Sequence, residues 1–262
     1  MSTEFDITKF VFEKKFECPV CSIAFSAPIA KYGKSRVVSQ DADLKQNYSP
    51  FDPIAYDVVV CPSCGYAESV DSFEKPVMDR IKANIIEVIR PKFCGHVYPM
   101  EITTEMALER FHIMIANSEV KNGKIGTRAY TYLKMAWVCR NAEDIRESIY
   151  LKMALDHFKE ALQKEAPPIA GMDSNAVSYI IGELERRTGD DEAAIRWFSA
   201  IVASAGAEGR LKDRARNQKD LILQERKEKE AEAAKAATAK KKQAEGAADE
   251  QDEKKKKKFE WF

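Results

Sequence analysis

The sequence contains two CPxC motifs, Cys18-Pro19-Val20-Cys21 and, 39 residues later, Cys61-Pro62-Ser63-Cys64-Gly65. A Cys-x₂-Cys turn at the tip of a hairpin points two sulfur atoms at one ion, and two such knuckles complete the tetrahedral shell of Zn²⁺. Proline stiffens each turn, and Gly65 is expected to supply the positive φ angle that a knuckle commonly needs. We therefore predict one structural zinc ion, held by Cys18, Cys21, Cys61 and Cys64 with no open coordination position.

Two other uses of these cysteines stay open. Four thiolates can also hold an iron–sulfur cluster, although the paired spacing favours zinc. A redox role needs a single Cys-x-x-Cys that opens a helix in a βαβ context, which this sequence lacks. Outside the motifs, Cys94 and His96 could bind a metal, but no further ligands are arranged beside them. Cys139 lies on an apolar helical segment and is predicted to belong to the core.

Short alternating runs flank the two knuckles. Residues 1–75 are rich in Pro, Val, Tyr and Phe, and the runs at 9–12 and 56–60 predict strands. The second run leads directly into the second knuckle, as a zinc ribbon requires. We expect a small, β-rich, zinc-ribbon-like module over residues 1–75.

Helical periodicity begins near Met78 and continues over most of the remaining chain. Thr103 and Asp173 are expected to cap two of the helices at their N-termini. A last helix should start near Gly209 and keep an apolar side up to about Leu223. The preceding predicted helices span 76–89, 103–118, 125–141, 143–165, 173–188 and 191–205.

Two of these segments resemble each other at an offset of 40 residues. Ala154, Phe158 and Ala161 match Ala194, Phe198 and Ile201. A small residue one turn before an aromatic is typical of the second helix of a tetratricopeptide repeat. The match is partial, because the usual aromatic of the first helix is absent. An ordinary helical bundle is the alternative to a repeat domain.

The C-terminal part has a different composition. From Arg226 onward Ala, Glu and Lys dominate without an apolar stripe, which predicts a frayed helix and then disorder. The predicted fold class is thus α+β. It combines the zinc-ribbon-like module at 1–75, an all-α tetratricopeptide-like domain at 76–225, and a charged, partly disordered tail at 226–262.

The distribution of charge argues against a nucleic-acid-binding role. Residues 1–75 carry eight basic and eleven acidic side chains, and a zinc ion with four thiolates would bring the module to about −5. Phosphate binding needs a basic face instead. The tail has an excess of three positive charges, and its terminal KKKKKFEWF could make weak contact with an anionic surface.

No segment has the roughly 18 uninterrupted apolar residues that indicate a membrane span. The N-terminus MSTEFDITKF lacks the apolar core of a secretory signal. The six cysteines are therefore expected to be reduced, and the protein to be cytoplasmic.

The segment between the knuckles contains several polar residues that could form a site. Asp41 and Asp43 could orient a hard cation, but two carboxylates in a polar loop are more simply explained as solvated. Lys31, Lys34 and Arg36 are expected to face these carboxylates and pair with them locally. We assign no catalytic residue and no further cofactor site from the sequence.

Several of these features together resemble a bacterial family catalogued as domain of unknown function 2225. The resemblance covers roughly residues 10–205 and implies zinc knuckles followed by tetratricopeptide-like helices, without implying a reaction. Asp52 departs from the family pattern, which more often has Asn before this proline, so a backbone cap there is expected to differ. The residues that carry the resemblance are the CPVC motif, Lys34, Arg36, Asp41, Asp43, Asp52-Pro53, Tyr56, VVCPSCGYA at 59–67, Ile102-Thr103 and Ala107–Phe111.

Two functions fit these observations. The favoured one is a non-enzymatic adaptor that binds a protein or peptide on the surface of its helical repeats. The alternative is an enzyme or a redox or metal sensor with a site in the loop between the knuckles. That site would use Arg36, Asp41, Asp43 and Tyr56.

Overall fold

A computed structural model of the chain describes residues 6–233. Within this range the N-terminal part consists of three antiparallel hairpins, each forming a two-stranded sheet of its own. Only the first and fifth strands were predicted. The strands are β1 (Val11–Glu17), β2 (Ala24–Ala30), β3 (Arg36–Gln40), β4 (Gln46–Ser49), β5 (Val58–Val60) and β6 (Ala67–Ser69).

Seven α-helices follow within the described residues, and the α+β prediction is confirmed. The six helices with predicted ends agree with the sequence analysis to within four residues at each end. The seventh extends further than its apolar stripe, while residues 234–262, including KKKKKFEWF, lie outside the described range. The helices are α1 (Asp79–Val88), α2 (Thr104–Val120), α3 (Ile125–Asn141), α4 (Glu147–Lys164), α5 (Ser174–Thr188), α6 (Asp191–Ala203) and α7 (209–233).

Side-chain caps fix where several elements begin. Thr103 Oγ1 accepts a hydrogen bond from Met106 N at 3.3 Å, and Asp173 Oδ1 accepts one from Ala176 N at 2.7 Å. Both predicted caps are confirmed, since each satisfies an otherwise unpaired N–H of a helix start. Asp52, the departure from the family pattern, caps a short 3₁₀ turn at Pro53–Tyr56 by accepting from Ile54 N at 3.1 Å.

The residues of the 40-residue match occupy equivalent positions in α4 and α6. Ala154, Phe158 and Ala161 are fully buried in α4, and Ala194, Phe198 and Ile201 are buried in α6. α3 packs along α4 and α5 along α6. The match therefore reflects real core positions, and its likeness to a tetratricopeptide repeat stays a prediction.

The strands and helices share apolar packing. One cluster joins Val58, Val60 and Ala67 of β5 and β6 to buried residues of α2, α3, α4 and α5. A second cluster surrounds the knuckle cysteines and includes Phe73 and Ile85. The domain boundary predicted at residue 75 is based on composition and stays a prediction. β5 and β6, which precede that boundary, pack against the helices that follow it. No helix within residues 6–233 is long and apolar enough to cross a membrane.

Candidate metal centre

Each cysteine knuckle lies at the tip of a hairpin. The first joins β1 to β2, and the second joins β5 to β6. The same backbone bonds close both turns: Cys18 N donates to Ile23 O at 3.0 Å, and Cys61 N donates to Tyr66 O at 2.8 Å. Two knuckles that 39 residues of chain separate thus present matching turns to each other.

A residue with positive φ follows the last cysteine of each knuckle. Gly65 has a φ of +70°, which confirms the prediction for the second knuckle, and Ser22 has a φ of +57° in the first. A Cβ atom added at Gly65 would lie 2.8 Å from Cγ of Phe93. Glycine is therefore needed at 65 for two reasons, backbone conformation and close packing. Sequence reasoning missed Ser22, although its position after Cys21 mirrors that of Gly65.

The four sulfur atoms form a compact group. Sγ of Cys18 lies 3.6 Å from Sγ of Cys64, and the Cys21–Cys61 pair has the same separation. All four ligand atoms lie within 4.8 Å of one another. A tetrahedron with zinc–sulfur bonds of about 2.3 Å has sulfur atoms about 3.8 Å apart. The spacing therefore fits one tetrahedral ion, and the four cysteines could hold a metal.

Backbone N–H groups point at several of these sulfur atoms. Such donors stabilise thiolates, because they place partial positive charge beside each sulfur. The N–H groups that donate are those of Val20 and Cys21 to Cys18, of Ser63 and Cys64 to Cys61, and of Tyr66 to Cys64.

The thiols also interact with one another. Hydrogen bonds from Cys18 and Cys64 lower the pKa of Cys61. Bonding to Cys61, together with burial, raises the pKa of Cys18, and bonding to Cys18 and Cys61, together with burial, raises that of Cys64. Metal binding requires deprotonated cysteines, so a divalent cation is the group that would allow all of them to ionise.

Helix α2 holds the second knuckle in place through two buried polar residues. Asn117 Nδ2 donates to Gly65 O at 2.8 Å. Arg110 donates to Ala55 O at 3.1 Å and also to Val58 O, just before the knuckle. Burial lowers the pKa of Arg110 to about 10, so it still carries its charge at neutral pH. Sequence reasoning missed this support for the knuckle. The signal that could have indicated it is that Arg110 and Asn117 lie seven positions apart, on the buried side of one helix.

The remaining cysteines are not part of this group. Cys94 is exposed, and Cys139 is fully buried, as predicted for a core residue. The ring of His96 packs edge-on against Tyr98 with centroids 4.6 Å apart. Cys94 and His96 therefore do not extend the metal site.

The carboxylates between the knuckles pair with the helical part of the chain. Arg140 of α3 donates to Asp41 Oδ2 at 2.7 Å and to Asp43 Oδ2 at 2.6 Å. Asp43 is fully buried and also accepts from Trp137 Nε1 at 2.9 Å. The expected local pairing with Lys31, Lys34 and Arg36 was wrong, because the loop turns its acids towards α3.

The four residues of the alternative site are thus divided. Arg36 lies on the fully exposed strand β3, and Asp41 and Asp43 are held by Arg140. Tyr56 is buried, and its hydroxyl donates to Met100 O at 2.9 Å and accepts from Ile102 N at 3.1 Å. The structure brings Asp43 and Tyr56 to the wall of one cavity, whose lining does not include Arg36 or Asp41.

Comparisons with known proteins place the chain in a family. No curated protein and no solved structure matches it. A family model does match residues 11–222, a range that contains all four knuckle cysteines, the three hairpins and helices α1 to α6. The resemblance seen in the motifs is confirmed, and the chain belongs to the family described as "Uncharacterized protein conserved in bacteria (DUF2225)".

Proposed function

We propose that this protein is a non-enzymatic binding protein whose N-terminal part is held in its fold by a structural Zn²⁺. The observation that carries the proposal is the group of four cysteine sulfurs at tetrahedral spacing. Four protein ligands close the shell and leave no position for a substrate, which is typical of structural and not of catalytic zinc. Two paired knuckles favour zinc over an iron–sulfur cluster.

Metal analysis of the purified full-length chain tests this proposal. We expect about one zinc per chain, in line with a single four-cysteine site. A thiol-alkylating agent added to unfolded protein should prevent reloading with zinc, because the thiolates are the ligands. Iron together with inorganic sulfide in the purified protein would contradict the assignment of zinc.

The binding role is supported by how the helices and charges are arranged. α3 to α6 pack in sequence, and the acidic residues between the knuckles are used in contacts with α3. The net negative charge of residues 1–75 favours a protein or peptide partner over nucleic acid. Reduced cysteines, which metal binding requires, fit a reducing compartment such as the bacterial cytoplasm.

Crosslinking of the full-length chain in native bacterial lysate, read by mass spectrometry, tests the partner prediction. We expect one protein to crosslink reproducibly to lysines of the helices, such as the exposed Lys152 of α4. Excess unlabelled chain should compete for these crosslinks. Crosslinks confined to copies of the chain itself would count against an adaptor role.

A site in the loop between the knuckles is the second candidate function, and one observation favours it. A large cavity lies at this loop, and Asp43 and Tyr56 contribute to its wall. A catalytic role for these two groups has less support, because Asp43 is held by Arg140 and Trp137 while Tyr56 bonds two backbone groups. The cavity supports binding more directly than it supports chemistry.

A further inference from the structure

A cavity of about 630 Å³ lies between part of the strand region and the helices. One side of its wall comes from the segment between the knuckles and from residues 70–71, and the other side comes from α3, α5 and the loop at 170–172. Pockets for small molecules in proteins typically measure roughly 300–1,000 Å³ and lie between such structural units. The cavity has the size of a ligand site and is distinct from the cysteine cluster, none of whose residues line it.

Aromatic side chains from both parts of the chain line the cavity. Tyr130 and Trp137 of α3 form an edge-on pair with centroids 5.8 Å apart. Phe51 and Tyr56 from the segment between the knuckles form another pair at 5.5 Å. Flat aromatic surfaces of this kind favour a ligand with a planar ring, because stacking buries both faces of that ring.

The wall carries four carboxylates and three ammonium groups, and most of them are paired. Lys45 Nζ lies 3.1 Å from Asp52 Oδ2, and Lys134 Nζ lies 2.6 Å from Asp57 Oδ2. Asp43, in the same wall, is paired with Arg140. A polyanion needs a group of unpaired cations, and the described lining offers one lysine outside the ion pairs, Lys31. The wall therefore suits an uncharged ligand.

These ion pairs still offer hydrogen bonds to such a ligand. An ammonium group has three N–H donors, and a carboxylate has about four acceptor positions, more than one pairing uses. Lys45 also donates to Asn47, and Asp52 accepts two further hydrogen bonds, which leaves that pair about one donor and one acceptor. Each pair thus places donors beside acceptors at the surface of the cavity. A nucleobase has the same alternation of donors and acceptors along its edge.

We propose that this cavity binds an uncharged ring compound of the nucleobase type, as a free base or a nucleoside. The aromatic groups of α3 and of the segment 51–56 would stack on the ring, and the Lys134–Asp57 and Lys45–Asp52 pairs would bond its edge. This inference goes beyond the proposed function and requires only that the chain be folded and loaded with its metal.

Calorimetric titration of the full-length, metal-loaded protein with adenosine, guanosine, cytidine and uridine tests the inference. We expect at least one nucleoside to bind saturably at one site per chain. The corresponding 5′-monophosphate should bind no more tightly than the nucleoside, because carboxylates outnumber ammonium groups in the wall by four to three. Failure of all four nucleosides to bind would overturn the proposal, as would a monophosphate that binds about tenfold more tightly.

Two matched variants locate the site. Tyr130 and Tyr132 both lie on α3 and both are half-buried, but only Tyr130 lines the cavity, whereas Tyr132 packs against His157 at 4.9 Å. We expect Tyr130→Leu to weaken nucleoside binding about tenfold or more, the range of one lost stacking contact, and Tyr132→Leu to change it less than twofold. Equal losses in both variants would overturn the placement. Metal content, measured on the same samples, separates this result from a failure of the zinc proposal.

Discussion

Replacing Cys64 with serine is expected to abolish stable metal binding by the full-length chain. Cys64 is fully buried, and its sulfur lies 3.6 Å from that of Cys18. A serine hydroxyl at this position is a poor ligand for zinc, and the remaining three thiolates would leave the shell open. Structural zinc sites contribute roughly 10–16 kcal/mol of apparent free energy in zinc-finger peptides, so loss of the ion should cost several kcal/mol of stability here.

The measurement is metal content after dialysis, together with thermal unfolding of the same sample. Cys94→Ser is the matched control, because Cys94 is exposed and is not part of the cluster. The control should keep the ion and the unfolding temperature of the unmodified chain. A Cys64→Ser variant that retains zinc and melts normally would show that these cysteines do not form the site.

Replacing Asp43 with asparagine is expected to give the second large effect, a destabilisation of about 3 kcal/mol. The side chain is fully buried, accepts from Trp137, and is bidentate with Arg140. Asparagine keeps the shape but removes the charge, so the guanidinium loses its buried partner. Arg140 is 19% exposed and keeps Asp41 and Glu147, which places the expected loss at the lower end for buried pairs.

Chemical denaturation at neutral pH measures this loss. Asp41→Asn is the control at the same arginine, since Asp41 is 26% exposed and its contribution should be about 1 kcal/mol or less. Equal losses of stability in the two variants would mean that the burial of Asp43 does not determine its contribution to the free energy of unfolding.

The pH dependence of the same pair supplies an independent check. Burial alone would raise the pKa of Asp43, but hydrogen bonds from Arg140 and the charge of Arg187 outweigh it, and the pKa lies below the ordinary 3.8. A carboxylate with a lowered pKa stabilises the fold above its unfolded-state pKa and loses this contribution as the pH falls through its folded-state pKa. The stability difference between the unmodified chain and Asp43→Asn should thus be constant above about pH 5 and shrink below 3.8.

Tertiary contacts explain why the role of the acidic loop could not be predicted. Asp43 and Arg140 are separated by 97 positions, and nothing in the local pattern links them. The nearby cations Lys34 and Arg36 were the obvious partners by proximity in sequence. The folded chain places α3 beside this loop instead, and Trp137 and Arg140, one turn apart, meet Asp43 together.

The cavity also depends on tertiary structure alone. Its wall joins residues from the segment between the knuckles, residues 70–71 after β6, α3 and α5. Helical periodicity places Tyr130, Lys134 and Trp137 on one side of α3, but it does not say that this side faces a space instead of a packed core. The empty volume follows from how two regions with separate patterns fit together.

The sequence by itself determined the four-cysteine group, the positions of the helices and the family. These features depend on short-range rules, namely the geometry of a Cys-x₂-Cys turn, the 3.6-residue period and the capping of helix ends. The tertiary structure alone decided the partner of Asp43, the support of Gly65 by Asn117, and the cavity. These features arise from contacts more than 50 residues apart in sequence, which leave no periodic signal because each partner is set by the packing of whole elements.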